Sequence, residues 1–167
     1  MKRVRRYART GEQFPHFDFR RDSSLKIAVV IASACIVLSM AACQQAELKP
    51  LEITQNDVCF RCKSPIADKH YAAELITKDG FVRKFDDIGC MLQHAKTRIG
   101  KNNILGYFVM DFPSQQWVKA DEASFVKSEG FKTPKDGGIL AFKDHAKAQA
   151  LAQQYKAQMV TLEDLLK

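Results

Sequence analysis

Phe85-Asp86-Asp87-Ile88-Gly89-Cys90-Met91-Leu92-Gln93-His94 changes period partway along its length. Phe85 closes Phe81–Phe85, a loosely alternating run of the kind strands carry. Asp86 or Asp87 is a good helix N-cap, because its carboxylate accepts from the unpaired N–H groups of a first turn. From there Ile88, Met91, Leu92, Ala95 and Ile99 recur at helical spacing until Gly100 ends the run. The spacing predicts a helix over about 87–98. Upstream, Lys78-Asp79-Gly80 is a turn between Phe81–Phe85 and the strand-like end of His70–Thr77, so a hairpin precedes the helix. Downstream, Ile104–Met110 is a near-continuous apolar run and is expected to be a buried central strand. The order is strand, strand, helix, strand.

The same order recurs, more faintly, in the second half. Trp117–Ala120 reads as a short strand, Ser124–Phe131 has no clear period, and Lys135-Asp136-Gly137-Gly138 is a turn. Ile139–Phe142 reads as a strand and Asp144–Tyr155 as a helix with Ala148, Leu151, Ala152 and Tyr155 inward. Met159-Val160 reads as a strand, after which Thr161 caps a last helical turn. The expected fold class is α+β, two small ββαβ-like units packed together, over 59–112 and 113–167. Only the first copy carries cysteines.

Ahead of these units the composition changes. Residues 1–26 carry eight Lys/Arg against three Asp/Glu, and residues 27–42 are apolar or small and uncharged. A basic segment followed by a short apolar one is the pattern of a secretory signal peptide, here 1–42. Sixteen residues fall short of the roughly 20 that span a bilayer. The run ends Ser39-Met40-Ala41-Ala42-Cys43, similar to a bacterial lipoprotein cleavage box, so Cys43 is the expected lipidation site and membrane attachment point. Residues 43–58 are polar and read as a tether. The leader holds +5 of the chain's +7 formal charge, so the basic balance does not point to nucleic acid. The expected location is the bacterial cell envelope, facing the periplasm or cell exterior.

The chemistry-bearing residues gather in the first unit. Cys59-Phe60-Arg61-Cys62 has the two-residue spacing of a metal knuckle. Cys90 and His94 are four apart on the expected helix and so share a face, which lies roughly opposite its apolar stripe. Three thiols and an imidazole suit Cu(I) or Zn(II) and suit hard cations poorly. Cys59, Cys62, Cys90 and His94 are therefore the candidate ligands, with Asp86, Asp87 and Met91 as auxiliary residues. If Cys43 carries lipid, the remaining thiols are odd in number and cannot all pair. A Cys59–Cys62 disulfide, structural or catalytic, is the other reading of the knuckle. Cys90 lies in the first helical turn, where the helix dipole lowers a thiol pKa and the neighbouring carboxylates oppose it. His70, His145 and Met110 are weaker candidates with solvated or core roles. No nucleophile triad, phosphate loop or dinucleotide fingerprint appears, so a non-enzyme is expected.

Cys-x-x-Cys, a hairpin, Phe85–Met91, Trp117-Val118-Lys119-Ala120 and Gly138–Phe142 together resemble NosL, the nitrous-oxide reductase accessory lipoprotein family. The resemblance implies two ββαβ units, Cu(I) as the bound ion, and delivery to the reductase's copper sites. The chain departs from the family pattern at two places. Cys62 is followed by Lys63-Ser64 where the family has Gly-Met, and Pro134 by Lys135-Asp136-Gly137 where it has Met-Gly. Without those thioethers, the cysteines and His94 are left to serve copper, or zinc in a protein-binding role.

Overall fold

In a computed structural model, residues 47–167 are described. The leader, the apolar run and Cys43 lie outside these residues. Residues 48–167 make one compact unit.

Two antiparallel sheets carry the unit. The first is ordered β2-β1-β3-β4, from β1 (Ala73–Thr77), β2 (Val82–Phe85), β3 (Ile104–Met110) and β4 (Trp117–Lys119). The second is ordered β6-β5-β7, from β5 (Ser124–Lys127), β6 (Ile139–Phe142) and β7 (Gln158–Val160). Helix α1 (Ile88–His94) follows β2, α2 (His145–Tyr155) follows β6, and α3 (Leu162–Leu166) ends the chain. In both halves a hairpin leads into a helix, and the next strand pairs with the hairpin's first strand on its free side. The duplication expected from the sequence is thus present in the topology.

One strand changes place. Trp117–Lys119, expected to open the second half, pairs with β3 at the edge of the first sheet. The true counterpart of β1 is β5, in the stretch whose period was unclear. Four residues carry too little alternation to announce a strand, and Phe125 and Val126 are both buried because each faces a different packed layer.

The hairpin and helix form as their residues dictate. Thr77 N–H bonds Phe81 O across the Lys78-Asp79-Gly80 turn, where Gly80 takes φ +84°. Asp87 caps α1, accepting from Gly89 N–H at 2.6 Å. The regular helix is shorter than expected: after His94 the chain widens into a π turn, Ala95–Ile99, before Gly100 at φ +78° ends it.

The main core lies under α1. Leu75, Phe85, Met91, Val109 and Phe125 are all fully buried there, so both sheets contribute. The halves are also stitched through backbone: Phe112 N–H donates to Ala141 O at 2.8 Å, and Lys143 N–H to Asp111 Oδ1 at 2.8 Å. In α2, Ala148 and Ala152 are buried as expected and Leu151 half-buried. Tyr155 is not inward: it is 55 % exposed and meets Phe131 edge to face.

The stretch read as a tether is already packed from residue 48 on. Ile53 is buried in a small cluster with Ile66, Ala72 and Met110. Glu74, in the middle of β1, is fully buried, and both its carboxylate oxygens accept from Leu51 N–H at 3.1 Å. Lys84 Nζ donates to Glu52 O at 2.6 Å and Asp57 Oδ2 at 2.8 Å. Residues 51–57 thus strap the outer face of the first sheet, where Ile53 gains burial and Glu74 a donor.

Candidate metal site

The Cys-x-x-Cys segment is a tight knuckle held against β2. Lys63 N–H donates back to Cys59 O at 3.0 Å and Cys59 N–H to Ser64 O at 2.8 Å. Lys63 takes φ +64°, a left-handed conformation usually filled by glycine. Phe60 N–H donates to Lys84 O at 2.8 Å, which docks the knuckle beside the strand that ends in Asp86. Cys59 and Cys62 thereby come over the first turn of α1.

There the ligating atoms of Cys59, Cys62, Asp86 and Cys90 all lie within 4.8 Å of one another. Cys59 and Cys90 are buried, Cys62 is half-buried, and all three are free thiols. The Cys62 thiol donates to both Asp86 oxygens at 3.4 Å. Asp86 was expected only as an auxiliary residue; here it is the fourth member of the group.

His94 is not in this group. Its Nε2 is 2.8 Å from Arg83 Nη1, and its ring meets Phe60 edge to face at 5.0 Å. Burial, then the charges of Arg83, Arg61, Arg98 and Lys63, hold its pKa below the usual range, so it is a neutral acceptor for Arg83. The i,i+4 rule places Cys90 and His94 on one face correctly, but the helix passes two different neighbours within that turn. Cys90 meets the knuckle, and His94 meets β2.

That face is also not solvent-facing. Cys90 is 2 % and His94 7 % exposed, because α1 is covered by the first sheet, the knuckle and β6. The helix dipole does not govern Cys90 either. Burial pushes its thiol well up, and the nearby Cys59, Asp86 and Cys62 add to the shift. Cys59 is raised, chiefly by burial. For Cys62, burial raises the thiol, but hydrogen bonds from Ser64 and Cys59 outweigh it and leave the pKa lowered. The least buried thiol is the readiest to ionise.

The remaining candidates sit elsewhere. Met91 and Met110 are buried core residues. His70 pairs with Asp68 at 2.6 Å and lies 2.9 Å from Gln115, and His145 bonds Ser124 at the surface. Asp87 supports the site from behind. Its Oδ2 accepts from Thr133 Oγ1 at 2.5 Å and Lys135 N–H at 3.1 Å, tying the α1 cap to the turn before β6. Gly137 packs against this carboxylate so closely that any Cβ would strike it.

The family model for NosL matches residues 50–167. The chain belongs to the NosL family. The fold agrees: a crystal structure of the copper chaperone NosL from Shewanella denitrificans aligns with a TM-score of 0.63. It is 18 % identical, and the match covers 69 % of this chain and 93 % of that one. No curated protein matches the chain. In this NosL-family chain Lys63 holds the left-handed position of the knuckle without a glycine.

Proposed function

We propose that this protein is a copper-handling accessory protein, not an enzyme, that holds Cu(I) between Cys59, Cys62 and Cys90. The observation that carries the reading is the convergence of three sulfur donors within 4.8 Å from two separate segments. Three thiolates are soft donors, and Cu(I) is content with two or three such ligands. Family membership and the fold support the same reading.

The residues divide the work. Cys62, half-exposed and with the lowered thiol, is the edge at which an incoming ion is first met. Cys59 and Cys90 are held as neutral thiols by burial and give up their protons when the ion arrives, so binding releases protons. Asp86 accepts from the Cys62 thiol and so is the nearest base for its proton. Affinity is expected to fall as pH falls. Cys43 anchors the chain to the membrane at the periplasmic or outer face, and the ion passes to a copper enzyme of the nitrous-oxide reductase type.

A second reading, a structural zinc site, is favoured by one observation. Asp86 would complete a four-ligand Cys3Asp set, which zinc prefers and Cu(I) does not need. A competitive titration of the full chain with each metal separates the two. Cys90→Ala is expected to weaken Cu(I) by more than the roughly 10–100-fold that losing a supporting residue costs, and His94→Ala by no more than that. Asp86→Asn is expected to weaken zinc more than Cu(I). Equal Cu(I) affinity in wild type and Cys90→Ala would sink the three-thiol site. A native preference for zinc would replace copper with the second reading.

A further inference from the structure

Four cations surround the open edge of the thiol group. Arg61 and Lys63 flank Cys62 on the knuckle and are exposed, as is Arg98 on the turn after α1. Arg83 reaches the same place from β2. Among the described residues none of the four is ion-paired to a carboxylate. Asp79 feels the charge of Arg83 without pairing with it, and Asp86 is committed to the thiols. Between knuckle and helix lies a cleft of about 680 Å³ lined by Phe60, Arg61, Gln93, His94, Thr97 and Arg98.

Phe60 stands at the lip of this cleft, 41 % exposed. It is not loose. Lys63 Nζ lies 4.6 Å and Arg83 Cζ 4.7 Å from its ring centroid, and its backbone is pinned to β2. A pinned, exposed aromatic held between a lysine and an arginine, neither ion-paired to a carboxylate, is the composition of an interface centre rather than of idle surface.

Part of this charge serves the site itself. Arg61 opposes the upward shift of the Cys90 thiol, and Arg83 bonds His94. Arg98 has no such task, yet it lines the same cleft and extends the field outward from the metal edge. We propose that this rim is the docking face of an acidic, metal-receiving protein, bound by charge before the ion changes ligands. The proposal rests on the copper reading above and adds the partner's chemistry: carboxylates surrounding its own thiol ligands. Cationic clefts steer an oppositely charged partner and raise association rates by roughly 10–10³-fold at low salt.

The test uses two synthetic Cys-x-x-Cys peptides, one flanked by Glu residues and one by Gln. Transfer of Cu(I) from the loaded full chain to each is followed by stopped flow. The Glu-flanked peptide is expected to receive the ion at least about tenfold faster at low salt. The advantage is expected to vanish near 1 M salt, where the screening length is only about 3 Å. Arg98→Glu is expected to reduce it sharply, and Lys147→Glu, a charge reversal on α2, to leave it intact. Equal rates for the two peptides, or an equal loss in Lys147→Glu, would overturn the proposal. So would a rim variant that loses only binding to phosphatidylglycerol vesicles, since that marks a membrane contact. Binding of the Glu-flanked peptide with serines for cysteines, measured on metal-free protein, reads docking without copper. If that binding persists in a chain that takes up no Cu(I) when titrated with it, the copper reading fails and the docking face stands.

Discussion

Glu74 sits in a central strand with no solvent and no paired cation, only Leu51 N–H and the charge of Lys84 across the sheet. Burial raises its pKa from 4.5 to about 7, with Leu51 and Lys84 opposing the shift and Asp57 adding to it. The sign follows from linkage: a carboxyl whose folded pKa is raised contributes stability at low pH, and that contribution is lost as pH rises through the folded value. Glu74→Gln is therefore expected to become relatively more stable than wild type between about pH 5 and 7. His94, whose pKa is lowered, works in the opposite direction in that window, so the difference between variant and wild type carries the prediction. Urea unfolding at several pH values measures it, and a pH-independent difference would refute it. At this scale the three cysteines were readable as partners because the knuckle spacing and thiol count are properties of the string. Asp86, not His94, lies beside the three thiols, because that grouping depends on where β2 and the knuckle pass the helix. Helical periodicity does not encode that.

At the scale of elements, Asp87 does more than cap a helix. It receives Gly89 N–H from its own helix and Thr133 and Lys135 from the other half, and it is 1 % exposed. Asp87→Ala leaves three donors without an acceptor and is expected to cost about 3 kcal/mol in urea unfolding. Asp87→Asn, which keeps one acceptor oxygen, is expected to recover part of the loss. A change below about 0.5 kcal/mol for Asp87→Ala, the range of ordinary surface substitutions, would mean the link is idle. The cap, hairpin turn and helix start were legible because each rests on a local rule. The π turn after His94 and the strand Ser124–Lys127 were not. The first depends on how the helix end meets the chain around it, and the second is too short for period to show. Trp117–Lys119 went to the other sheet because strand pairing is decided by neighbours distant in sequence.

For the whole molecule, the fold's work is to bring Cys59 and Cys62 over Cys90 from across a hairpin, with the second half bracing the helix cap from behind. Among the described residues no helix is long and apolar enough to cross a membrane. The proposed attachment point, Cys43, lies outside those residues. Cys43→Ser is expected to release the chain from the membrane fraction or to block its processing while leaving Cu(I) stoichiometry unchanged. Retention at unchanged size would leave the apolar segment 27–42 as the anchor instead.

The central proposal is that one Cu(I) is held by three sulfurs drawn from the knuckle and the helix. X-ray absorption at the copper edge on the anaerobically loaded full chain counts those neighbours directly. Three sulfur neighbours per copper and no imidazole scattering are expected. Two sulfurs with an imidazole would contradict the proposal, because His94 would then have left Arg83 to take the place assigned to Cys90.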